Sequence, residues 1–136
     1  MKIKGLVLNP GKAAGPLLVL AEPLSFWGSF DPKTGTIVDI RHPQRGERLA
    51  GRIVLMPETR GSGSASGAIA EAIRRNTAPL GIILMKPDVN LAIGSLIAAT
   101  LYARQCPILS IGKPDYDALA AASHVAIAQD GTIEAG

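Results

Sequence analysis

The chain has 136 residues, room for one domain with its own core and too few for two ordinary ones. Apolar residues make up 47% and charged residues 18%, which excludes a disordered chain. The net charge of +3 comes from scattered groups such as Arg41, Arg45, Arg48, Arg52, Arg60, Arg74 and Arg75, with no dense basic run among aromatics; that argues against nucleic-acid binding and fits an acidic small substrate or an acidic partner surface.

Cys106 is the only cysteine, so an intrachain disulfide is excluded and the chain cannot by itself hold an iron–sulfur cluster or a structural zinc. A reducing, cytoplasmic compartment is the default expectation. No signal peptide is visible at the start of the sequence, and the longest apolar stretch, residues 91–103, is too short to span a bilayer.

In chain order, residues 3–8 alternate as a strand does, and Asn9-Pro10-Gly11 breaks the pattern. Residues 17–20 read as a second strand, with the Gly15-Pro16 step marking its start. The segment Glu22-Pro23-Leu24-Ser25-Phe26-Trp27-Gly28 has no clear period and sets two aromatics side by side. Those rings either cover one end of the core or line a pocket mouth or partner surface. Asp31-Pro32-Lys33-Thr34-Gly35 is a turn, and residues 36–40 read as a strand that Arg41-His42-Pro43 ends. His42 could lie within reach of a possible site, but a lone histidine before proline is more often a loop residue with a satisfied hydrogen bond. Residues 44–50 read as polar and solvated.

Residues 52–56 read as a strand and residues 68–76 as an amphipathic helix, with Ile69, Ala72 and Ile73 on one face and Glu71, Arg74 and Arg75 on the other. Between them lies Arg60-Gly61-Ser62-Gly63-Ser64-Ala65-Ser66-Gly67. A Gly/Ser run at a helix start turns tightly and aims N–H groups and hydroxyls at one point, where the helix dipole favours negative charge. It suits an anionic substrate or a serine oxygen that must lose its proton; the plainer alternative is a turn with Ser66 as N-cap. Residues 80–85 form a continuous apolar run, expected of a central strand. Asp88 or Asn90 could cap the next helix, which over residues 91–104 is apolar nearly all round and should be buried or pack on another chain. Residues 107–111 read as a strand, 115–122 as a short helix, and 124–128 with 132–134 as a hairpin around Asp130-Gly131. The order predicts a single mixed α/β domain over residues 1–136, with an antiparallel layer from the N-terminal half and parallel strands plus helices from the C-terminal half.

The segments Glu22-Pro23-Leu24-Ser25-Phe26-Trp27-Gly28, Asp31-Pro32-Lys33-Thr34-Gly35, His42-Pro43 and Arg60-Gly61-Ser62-Gly63-Ser64 together resemble the aconitase X family. More narrowly, they are similar to its small subunit, the swivelling domain encoded as a separate chain, over about residues 5–114. The resemblance implies a swivelling β/β/α three-layer fold with mixed parallel and antiparallel sheets. It implies hydro-lyase chemistry on a small hydroxy acid, assisted by an iron–sulfur cluster held in a separate large subunit and not by this chain. The family's dehydrating serine maps onto Ser62. Cis-3-hydroxy-L-proline is the expected substrate, with phosphomevalonate as the alternative. Other aconitases follow the loop serines with a carboxylate-binding arginine; here Ser64-Ala65-Ser66 has none, so anion recognition rests on Arg60, on amides such as those of Gly61 and Gly63, or on the partner. Ser64 joins these as a candidate substrate contact, with Phe26 and Trp27 at the pocket mouth.

A serine hydroxyl is a poor base in water and becomes a plausible one beside backbone N–H groups and a cation such as Arg60. Two rivals stand beside the dehydratase half: a non-enzymatic module whose loop holds an anion, and a serine hydrolase. The hydrolase is disfavoured because Gly61-Ser62-Gly63 falls short of a Gly-x-Ser-x-Gly elbow and His124 is the only downstream histidine.

Overall fold

The structure, a computed structural model, describes residues 1–60 and 64–136. Its strands are β1 (Lys2–Lys4), β2 (Leu6–Asn9), β3 (Ala13–Val19), β4 (Phe30–Asp31), β5 (Thr36–Ile37), β6 (Ile53–Met56), β7 (Gly81–Leu84), β8 (Ile108–Ser110), β9 (His124–Ile127) and β10 (Thr132–Ala135). Its helices are α1 (Ala65–Arg74), α2 (Val89–Tyr102) and α3 (Lys113–Leu119).

The main sheet runs β1-β10-β9-β3-β6-β7-β8-β2, and β4 and β5 form a small hairpin apart from it. Two strands change company along their length. Residues 13–16 of β3 pair antiparallel with β9, whereas residues 17–19 pair parallel with β6. Likewise β1 pairs with β10 and β2 with β8, although only Gly5 separates them. The predicted strand over residues 3–8 is therefore one ribbon whose two halves pair at opposite ends of the same strand order. The Gly15-Pro16 step lies inside β3 and does not start it: Pro16 sits opposite His124, and the next N–H, of Leu17, donates to Ser123 O at 3.0 Å.

The layers follow from burial. Strands β6 and β7 are apolar at every position and buried on both faces, as parallel strands beneath two covers must be. On one face Val54, Met56, Ile82, Leu84 and Ile108 pack against Ile69, Ala72 and Ile73 of α1 and Leu91 and Ala98 of α2. On the other, Ile53, Leu55, Ile83 and Leu109 meet Ile3, Val125, Ile127 and Ile133 from the antiparallel strands, with Tyr116 and Leu119 of α3. Each fully buried Leu or Ile contributes about 2 kcal/mol. This is the expected β/β/α arrangement of mixed sheets.

The source of the antiparallel layer differs from the expectation. It is built from β1, β9, β10 and the start of β3, so it draws on both ends of the sequence and not on the N-terminal half. Residues 20–50 instead form mostly irregular structure whose apolar side chains Leu20, Leu24, Phe26, Phe30, Ile37 and Leu49 join the helix-side core. Only Thr36–Ile37 of the predicted 36–40 strand is a strand. Residues 44–50 are not uniformly solvated: Leu49 is fully buried, and the Gln44 amide accepts from Ala21 N at 2.8 Å and donates to Val19 O at 2.9 Å. The predicted turn at residues 31–35 is present, with Gly35 at φ 74°, a conformation that disfavours a Cβ.

Helix α1 starts three residues before the predicted boundary, with Ser64 at the N-cap position; Ser66 lies in the first turn and is not the cap. Helix α2 is capped by Asp88, whose side chain accepts from the N–H groups of Asn90 and Leu91. The two helices cross closely at Gly94. A Cβ there would lie 2.3 Å from Ser66 O and 2.5 Å from Ile69 Cγ2, so only glycine permits this approach. Helix α2 is not buried all round: Leu91, Gly94, Ser95 and Ala98 face inward, while Val89, Ile93, Leu96, Ile97 and Leu101 are exposed.

Candidate active site

The Gly/Ser stretch follows β6 at the carboxyl ends of the parallel strands and leads into α1. In open α/β sheets that is where ligands collect. Gly61, Ser62 and Gly63 lie outside the described residues. The residues on either side of them are held by contacts with distant elements.

On the entry side, residues 59–60 are tied to two elements distant in sequence. Leu24 and Thr59 form a parallel bridge, and Arg60 N–H donates to Leu24 O at 3.1 Å. The Thr59 hydroxyl donates to Asp88 Oδ2 in a short hydrogen bond. Asp88 thus caps α2 with one oxygen and holds the loop entrance with the other. The loop's departure point is therefore fixed by α2 and by the irregular 22–28 segment together. On the exit side, Ser66 rests against Gly94.

Two hollows flank the loop. One, of about 420 Å³, is lined by Glu58, Thr59, Arg60, Lys86, Pro87, Asp88 and Val89. It is polar, and the exposed Glu58 and Lys86 face each other across 3.7 Å. None of the ion pairs among the described residues uses Arg60. The other, of about 450 Å³, is apolar and is lined by Phe26, Trp27, Gly28, Phe30, Pro32, Gly67, Ala68 and Glu71. Phe26 is 1% exposed and stacks at a tilt on Phe30, ring centroids 5.3 Å apart, whereas Trp27 is 61% exposed. Of the two readings of this segment, each ring takes one: Phe26 belongs to the core and Trp27 forms a rim.

The structure therefore brings the aromatic segment and the loop's flanks together, with Arg60 on one side and Trp27 on the other. Ser64 stands exposed at the N-cap of α1, where the helix dipole is positive and no acidic side chain occupies the first turn. Both features suit an approaching anion.

His42 does not belong to this constellation. It is buried; Gln44 N–H donates to its Nδ1 at 3.1 Å, which leaves the proton on Nε2, 3.2 Å from Glu22 O. That is the satisfied loop histidine the sequence suggested. Among the described residues, no group of three or more His, Cys, Asp or Glu is placed to hold a metal ion. The one thiol is a poor ligand: burial pushes the Cys106 pKa up to about 12. The residues of this chain do not fit an iron–sulfur cluster. Among the described residues, no helix is long and apolar enough to cross a membrane.

Sequence reasoning missed Thr59 and the second role of Asp88. The cap was readable from Lys86-Pro87-Asp88, but the bond to Thr59 spans 29 residues and leaves no local mark.

With this geometry in hand, the likeness to known proteins is specific. The chain belongs to the aconitase X swivel domain family, whose model matches residues 2–135. It is 40% identical over 127 residues to the cis-3-hydroxy-L-proline dehydratase of Pseudomonas aeruginosa, a match covering 93% of this chain and 22% of that one. It is 38% identical over 98 residues to the phosphomevalonate dehydratase small subunit of Methanothermobacter thermautotrophicus, covering 72% of this chain and 75% of that one. The chain thus spans about a fifth of the cis-3-hydroxy-L-proline dehydratases it matches. The crystal structure of Thermococcus kodakaraensis aconitase X, holo-form, superposes with a TM-score of 0.84 at 29% identity, covering all of this chain and 98% of that one.

Proposed function

We propose that this chain is the swivel-domain small subunit of an aconitase X-type hydro-lyase that dehydrates a small hydroxy acid, with Ser62 as the proton acceptor. The observation that carries the reading is the loop's double anchorage, at Leu24 and Asp88 before it and against Gly94 after it, in a chain of this family. A base that must be aimed needs a rigid frame on both sides. Ser62 would lose its proton beside the positive end of α1, with Arg60 stabilising the alkoxide or the substrate anion. Gly61 and Gly63 amides and the Ser64 hydroxyl complete the anion contacts, and Trp27 closes the rim.

Cis-3-hydroxy-L-proline is the preferred substrate, because the similarity to the P. aeruginosa dehydratase runs along 93% of this chain, against 72% for the M. thermautotrophicus phosphomevalonate dehydratase small subunit. We assign the iron–sulfur cluster, and with it the remainder of the active site, to a larger partner, since this chain has no donor set for it. The single unreactive thiol is in keeping with a reducing, cytoplasmic setting.

The test is reconstitution with the aconitase X large-subunit chain of the same genome and assay on both substrates. The wild-type pair should dehydrate cis-3-hydroxy-L-proline, this chain alone should not, and Ser62→Ala should assemble normally yet lose at least about a thousandfold in turnover. Near-normal turnover of the variant would remove Ser62 from the base role, and turnover of phosphomevalonate alone would reverse the substrate choice.

A further inference from the structure

Helix α2 contains no charged side chain along its length. Its outward residues Val89, Ile93, Leu96, Ile97 and Leu101 fall at i, i+4, i+7, i+8 and i+12, which lines them up along one stripe about 18 Å long. Val89 is 66% exposed, Leu96 55% and Leu101 65%. A continuous apolar stripe of this kind marks a contact surface, whereas single exposed apolar residues do not.

We propose that this stripe is the surface on which the larger aconitase X chain docks. The inference rests on the functional reading above and adds the face through which the two parts meet. Continuity with the site selects the occupant. Val89 lines the polar hollow together with Arg60, and the residue before it, Asp88, holds Thr59. A protein that closes over the loop therefore meets the first turn of α2 on arrival, and the stripe leads away from that point. The relatives supply the second argument. In the P. aeruginosa dehydratase the matched region is 22% of one polypeptide, while the M. thermautotrophicus relative is named a small subunit. A part that is covalently joined in some members needs a permanent contact when it is separate, and permanent contacts are the more apolar ones. A second copy of this chain would cover the stripe but would leave the loop's rim incomplete.

The experiment measures binding of the full chain to the large-subunit chain of the same genome, using Leu96→Lys and Leu101→Lys as separate variants. Ala118→Lys, on α3 in the opposite layer, serves as control. All three positions are exposed, so the melting temperature reports that each variant is folded. Each stripe variant should weaken binding about tenfold or more, and the control should bind as the wild type does. Wild-type affinity in both stripe variants would overturn the docking face and leave the functional reading standing. Failure of the wild-type chain itself to bind would overturn both. Self-association of the wild-type chain in sedimentation, lost in Leu96→Lys while large-subunit binding persists, would reassign the stripe to a homodimer.

Discussion

Helices α1 and α2 lie side by side on one face of the sheet, in contact at Gly94, yet their outward faces are built from different chemistry. The outer face of α1 carries Glu71, with Arg74 Nε at 2.6 Å and Arg75 Nε at 3.1 Å, a solvated cluster that asks for nothing further. The outer face of α2 carries Val89, Ile93, Leu96, Ile97 and Leu101 and no charge. Both inner faces meet the same core, so the difference does not arise from folding requirements. It separates a surface that water completes from the one proposed above as the face for the larger chain.

The largest effect is expected at the crossing itself. Gly94→Ala would set a Cβ against the backbone oxygen of Ser66, which cannot rotate away, so the helices must part. The expected loss is about 1–3 kcal/mol in urea unfolding, with a further drop in turnover of the reconstituted enzyme because the start of α1 moves with Ser66. An unchanged urea midpoint would mean that the helices are not held at this distance.

A smaller effect is expected at the start of α2. Asp88→Ala removes the cap and releases Thr59, costing about 1–2 kcal/mol, and Asp88→Asn should restore part of the cap. Identical urea curves for wild type and Asp88→Ala would show that the cap and the Thr59 bond contribute nothing to stability.

The smallest effect belongs to the solvated face. The Arg74 and Arg75 hydrogen bonds lower the Glu71 pKa from 4.5 to about 2. A depressed folded-state pKa contributes stability that is full above the unfolded value and is lost as pH falls through the folded one, here between about 4.5 and 2. Because the group is exposed, Glu71→Gln should shift the melting temperature at pH 7 by no more than about two degrees, and salt should shrink the difference. A larger shift that survives high salt would show that α1 depends on this cluster more than its exposure allows.

Much of the fold was legible where the signal is local. The apolar runs gave β6, β7 and β8, Asp130-Gly131 gave the β9–β10 hairpin, and the spacing of Ile69, Ala72 and Ile73 gave the inner face of α1. What escaped was decided by residues far apart. No local pattern tells that the hairpin pairs with β1 and β3, or that Leu49 and Gln44, in a polar stretch, are held by the core and by Val19 and Ala21. Pro16 and Gly15 read as a strand start, yet their strand extends past them because proline's missing donor is tolerated opposite His124. At the site, the residue types in Arg60–Gly67 and Phe26–Trp27 were readable, but their neighbourhood depends on the Leu24–Thr59 bridge, which joins segments 35 positions apart.

The change of partner at Gly5 has a consequence for how the molecule is made. Lys2 pairs with Glu134, so β1 has to wait until β10 has been made before it can find its neighbour. Such distant pairing slows folding and leaves a nascent ribbon unpaired in the meantime. The lysines at residues 2 and 4 give that waiting ribbon a charge that discourages premature association with other chains.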